Sequence, residues 1–159
     1  MFQVRIDGLE QIDQLVAGIQ RRIEDQRDFW PFAAELTEDK VRDIFSTSGY
    51  GSWEPLKPET LEGKYPETRL LVNEGNYFQA ATDRDSIGNT YSFDRNSMEY
   101  GIDGRYFEAR FGYNYPAAHE YGRGVPQREV FGLIPDEPFI NEIVVAAETR
   151  IEREIARLT

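Results

Sequence analysis

The sequence contains no cysteine. That excludes disulfides, thiolate zinc sites and cysteine nucleophiles. It has a single histidine, His119, followed by Glu120. A zinc metalloprotease helix needs a second His four residues after the first, so that both reach one metal. Position 123 is Arg, and the zinc reading falls. Basic residues are scarce beside acidic ones, 18 Lys and Arg against 29 Asp and Glu, for a formal charge of −11. Such a field repels nucleic acid on average, because duplex binding rests on a basic footprint. The Arg and Lys present do not interleave with aromatics as single-strand binders require. No apolar run approaches the roughly 20 residues of a membrane span. The opening Met1-Phe-Gln-Val-Arg-Ile6 lacks the basic start and long apolar centre of a signal peptide. The expectation is a chain kept in the cytoplasm until it is assembled into something, with no membrane partner.

What is present suits one domain over 1–159. Hydrophobic residues are 40% of the 159 and aromatics 13%, enough for a real core. Phe2, Val4 and Ile6 alternate as a short strand does. Leu9, Ile12, Val16, Ile19 and Ile23 fall at spacings of three and four and predict a helix over 9–27. Pro31 fits the first turn of a second helix, running to Ser46, with Phe32, Leu36, Val41, Ile44 and Phe45 facing inward. Residues 47–69 are rich in Gly, Pro and charge and read as an extended loop. Within it, Pro58 or the next residue opens a short helix through Lys64, and Tyr65-Pro-Glu-Thr68 is a turn.

A short helix is expected over 76–82. Thr90–Phe93, Ser97–Ile102 and Tyr106–Phe111 look like strands separated by Asp94-Arg-Asn96 and Asp103-Gly104, a meander. Ala117–Tyr121 forms a helical turn closed by Gly122, and Val130–Leu133 a last strand. Asp136 caps a final helix, Glu137–Leu158, striped by Ile140, Ile143, Val144, Ala147, Ile151 and Ile155. The fold class is α+β: an antiparallel sheet packed by two N-terminal helices and a long C-terminal helix.

Several chemistries can be weighed on spacing. Asp83-Arg-Asp-Ser-Ile-Gly88 starts like a calcium loop, but a ligand position is Ile87 and position twelve is Asp94 instead of Glu. A carboxylate-dependent hydrolase needs two acids at the right separation. Glu54, Glu59 and Glu74, in aromatic or Pro-rich settings, are the ones to test. Gly101-Ile-Asp-Gly104 lacks the Lys-Ser/Thr of a phosphate loop, and no Ser sits in a Gly-x-Ser-x-Gly elbow. Trp53, Tyr115, Tyr121 and Phe131 belong to the residue types that anchor protein interfaces, as does Arg128. Core filling is the alternative for the aromatics. Arg128, beside Pro126, should pair with an acid within the fold or across a subunit boundary.

Three stretches carry a family resemblance. They are Trp53-Glu-Pro-Leu-Lys-Pro-Glu-Thr60 with Lys64, Leu70-Leu-Val-Asn-Glu-Gly-Asn-Tyr77, and Tyr115-Pro-Ala-Ala-His-Glu-Tyr-Gly122 with Pro126-Gln-Arg128 and Phe131-Gly-Leu133. In order and spacing they resemble the phage virion morphogenesis family, which includes tail-completion proteins of contractile-tailed phages. Glu129 stands where that family usually has Pro, and Asn76-Tyr77 replaces a more usual Arg or Ser-Leu pair. The resemblance implies a non-enzymatic structural protein without a cofactor, placed in the virion at the head–tail neck. Its implied partners are further copies of itself in a six-subunit ring, a tail tube or terminator protein, and a head connector or head-closure protein. DNA would pass through without sequence-specific binding. Leu56 and His119, inside the motifs, join Trp53, Tyr115, Tyr121, Arg128 and Phe131 as the expected contact residues. A tail terminator or head-closure ring of a related injection machine is the alternative within the same class.

Overall fold

A computed structural model describes residues 9–64, 69–72 and 74–158. The strand expected at Phe2–Ile6 and the turn at Tyr65–Thr68 lie outside them. The elements are α1 (Leu9–Glu24), α2 (Trp30–Ser46), α3 (Pro58–Lys64), α4 (Asn76–Thr82), β1 (Ser92–Phe93), β2 (Met98–Glu99), α5 (Gly104–Phe111), α6 (Tyr115–Tyr121), a 3₁₀ turn at Phe131–Leu133 and α7 (Glu137–Leu158). Helices joined to a small antiparallel sheet, with a long C-terminal helix, make the fold α+β, as the sequence implies.

α2 is the central support. Pro31 occupies its first turn, where no hydrogen bond is lost. Its buried face runs through Ala34, Thr37, Val41, Ile44 and Phe45, at helical spacing. Phe32, expected inside, is 45% exposed. It lies two residues before Ala34 and so on the opposite side of the helix. The buried aromatic is Phe29, one turn earlier. α4 packs on α2. Together they bury Tyr77, Ala80 and Ala81 with Phe107 of α5, Trp53 and Val130. Edge-to-face rings link the parts: Phe45–Tyr77 at 5.5 Å, Tyr77–Phe107 at 6.4 Å and Phe107–Tyr115 at 5.1 Å between centroids.

Charge fixes the edges of this core. The buried Glu38 carboxylate accepts from Arg84 Nε at 2.8 Å and Nη2 at 3.0 Å, tying α2 to the turn after α4. Asp136 caps α7 by accepting from the Phe139 N–H at 2.9 Å, and it also pairs with Lys40 of α2. Farther along α7, Arg150 pairs with Asp28. α1 packs on α7. Their apolar stripes are only partly covered, with Val16, Ile23, Ile140 and Val144 about half exposed.

Two expected strands are helical. Ser92–Phe93 and Met98–Glu99 do pair, closed by Asp94 Oδ1 accepting from the Asn96 and Ser97 N–H groups. The third strand of the meander, Tyr106–Phe111, is α5. Asp103-Gly104 is no hairpin turn: Asp103 Oδ1 accepts from the Arg105 N–H at 2.9 Å and starts a helix. Phe107 and Phe111 then fall one helical turn apart and stack on each other. Val130–Leu133 is a 3₁₀ turn, because the Glu120 carboxylate collects the N–H groups of Val130, Phe131 and Gly132 and bends the chain. No helix among the described residues is long and apolar enough to cross a membrane.

Candidate functional site

After α2 the chain reverses through Ser48, Gly49, Tyr50 and Gly51, all at positive φ (52°, 65°, 55° and 79°). For Ser and Tyr that conformation is strained, so the turn is held by its surroundings. Gly49 is required on space as well, because a Cβ there would run into Trp53 Nε1. The turn delivers Trp53 into the core, 5% exposed, edge-on to Phe45. Its indole N–H donates to the Glu129 carbonyl at 2.9 Å.

The second half of this contact comes from α6 and the segment after it. Asn114 Oδ1 accepts from the Ala117 N–H and Pro116 sits in the first turn, so α6 starts firmly. Gly122, in the left-handed region, ends it, and the chain folds back until the Arg128 N–H donates to the His119 carbonyl at 2.8 Å. The Arg128 guanidinium then donates to the Glu54 carbonyl from Nε at 3.3 Å and Nη2 at 3.0 Å. Its Nη1 lies 3.5 Å from His119 Nδ1. Trp53-Glu54 and Arg128-Glu129 thus hold each other by reciprocal side-chain-to-carbonyl bonds. The acid expected as Arg128's partner is replaced by a backbone oxygen.

Beside this clasp lies a cleft of about 890 Å³. α3 and the Glu54–Lys57 segment form one wall. Leu71, Tyr77, Phe111 and Tyr115 supply its apolar and aromatic lining, and His119, Val125 and Pro126 line it as well. Leu71 holds φ 58°, unusual for a branched side chain. Burial, first of all, pushes the Tyr115 phenol up to about 12. Burial also moves His119 below its ordinary value, and the neighbouring Arg128 charge acts in the same direction against a hydrogen bond to the Pro126 backbone. Burial lowers the Arg128 guanidinium, with the Glu54 charge opposing.

Of the expected contact residues, Leu56, Tyr115 and His119 line the cleft half-buried. Trp53 and Arg128 are each 5% exposed and bonded within the chain, so they brace the site; Arg128 also lines the cleft and Trp53 does not. Tyr121 stands apart, 64% exposed under the Arg123 guanidinium. Phe131 is half-buried against the core. The three acids singled out for a hydrolase, Glu54, Glu59 and Glu74, all reach the cleft. Glu120, next to the lone His, is occupied by three backbone N–H groups. Among the described residues no group of three ligating side chains could hold a metal. Asp83 accepts from the Asp85 N–H in a local turn. Sequence reasoning missed Leu71 and Tyr113 as lining residues. Tyr113 had a signal, since it flanks the Asn114 cap with Tyr115; the Leu71 conformation had none.

No family model matches the chain, no curated protein matches it, and no solved structure matches it.

Proposed function

We propose that this chain is a structural protein of a contractile-tailed phage, acting at the neck where the finished tail meets the DNA-filled head. The observation that carries the reading is the convergence of the three motif stretches. Each of the three stretches contributes residues to one cleft, and side chains 74 and 76 residues apart in sequence bond the first stretch to the third. Residues picked out for a family resemblance alone need not have met; here they form one unit.

In this reading the protein is not an enzyme and needs no cofactor. It completes or caps the tail as a six-subunit ring around the DNA channel, between a tail tube or terminator protein and a head connector or head-closure protein. An acidic chain suits a channel that DNA must cross without sticking. The protein works in the host cytoplasm during assembly and ends in the virion. Immunogold labelling of purified particles tests this directly. Label at the head–tail junction is expected; particles that carry no copies of the chain would contradict it.

A second reading has one specific observation in its favour, the meeting of Glu54, Glu59 and Glu74 at the cleft beside Tyr113 and Tyr115. Two carboxylates facing a sugar would make a cell-wall hydrolase. Clearing of a peptidoglycan suspension by the purified chain, abolished by Glu74→Gln, would establish it. Absence of clearing leaves the neck reading standing.

A further inference from the structure

We propose that the cleft is a docking site for an extended basic segment of a different polypeptide, with one apolar residue against the apolar lining of the cleft and Lys or Arg on its rim. The inference does not rest on the neck reading. It starts from what is left uncovered. Every α3 residue from Pro58 to Gly63 is exposed, although α3 forms a wall of the cleft. The rest of the lining includes aromatic and aliphatic side chains. None of the described residues fills the roughly 890 Å³ between them.

Charge selects the occupant. The cleft is lined by three carboxylates, Glu54, Glu59 and Glu74, and by one exposed ammonium, Lys57. Arg128 also lines the cleft and keeps its charge on the neutral Glu54 carbonyl, but it is only 5% exposed, so the exposed charges are three carboxylates against Lys57. Tyr113, 60% exposed with its ring 5.9 Å from that of Tyr115, adds an aromatic shelf on which a guanidinium or ammonium can rest. Aromatic-lined grooves take extended segments, and Tyr77, Phe111, Tyr113 and Tyr115 supply such a lining here. A second copy of this chain is the poorer occupant. With 29 Asp and Glu against 18 Lys and Arg, this chain has few basic stretches to offer the cleft.

The test is selection of random decapeptides on the full-length purified chain, with the same selection on Glu59→Lys/Glu74→Lys. Both sites are exposed, so the variant should keep the parent melting temperature. Glu142→Lys/Glu148→Lys, on exposed positions of α7, is a control of equal charge change. The expected binders place Lys or Arg beside an aromatic or branched apolar residue and weaken as salt rises. Their affinity should drop at least about tenfold for the cleft variant and little for the control, since only the cleft charges face the bound peptide. Four outcomes overturn the proposal: no enriched peptide, binders without basic residues, equal loss in the control, or self-association of the chain abolished by the cleft variant. The last would assign the cleft to a second copy.

Discussion

Trp53 and Arg128 each bond the carbonyl of the residue beside the other: the indole donates to Glu129 and the guanidinium to Glu54. The pair closes a loop of more than seventy residues with two side chains and no disulfide. Both act on backbone oxygens, so the contact is insensitive to most changes at Glu54 and Glu129 and sensitive to changes at its donors.

Trp53→Phe keeps most of the ring and removes the donor. It should cost about 1–2 kcal/mol, the usual range for a buried bond left unmade. Arg128→Lys cannot reproduce the two-nitrogen contact and should cost a similar amount. Because both bonds close one contact, the double variant should lose less than the sum, with a coupling of about 1 kcal/mol by urea denaturation. Strict additivity would mean that the two bonds do not form one clasp.

Gly49→Ala places a methyl where the Trp53 indole sits and forces an L-residue to φ 65°. The combined strain should cost about 2–4 kcal/mol. In a Trp30→Phe background the remaining indole should move to a wetter site, and its emission should shift to the red. An unshifted spectrum would show that the turn relaxes without moving Trp53.

Glu38→Ala removes the main carboxylate partner of the half-buried Arg84, which keeps Glu35 and the Pro31 carbonyl, and should destabilise the fold by about 1–2 kcal/mol. Replacing both partners, Glu38→Leu with Arg84→Met, should be milder than the single change, since no charge then loses its main partner. Thermal melts of the three proteins decide the order.

The pH dependence near neutrality should come from His119. Its folded pKa is below the unfolded value of about 6.5, so the unfolded state binds the proton more readily. The contribution of neutral His119 to stability is therefore full above about pH 6.5 and is lost as the pH falls from there through the folded value. His119→Gln should flatten the melting temperature between about pH 7 and pH 5 relative to the parent. Asp136 and Asp94, both held below the usual carboxylate range, act in the same direction only at lower pH, below about 4. An unchanged slope in His119→Gln would remove His119 as its source.

Much of the architecture could be read from pattern. α2, α4 and α7 follow their apolar periods and caps: Pro31 and Asp136 sit at the starts where local chemistry places them. α5 shows where pattern stops. Tyr106, Phe107 and Phe111 suit a strand or a helix, and the decision fell to the Asp103 side chain, which caps in place of turning. The Val130–Leu133 turn was hidden for a different reason, since it depends on Glu120, ten residues earlier. In the site, the residue types of Trp53 and Arg128 drew attention, but their acceptors are carbonyls 76 and 74 residues away. A backbone acceptor has no sequence signature. For the same reason Arg128 was expected to seek an acid.

If the proposed neck role is right, deleting the gene for this chain from a phage genome and examining the lysates by electron microscopy gives the most direct test. DNA-filled heads and full-length tails lying unjoined are expected, with joining restored by the purified protein. Normally joined particles trapped inside unlysed cells would contradict the neck role and turn attention to the carboxylates of the cleft.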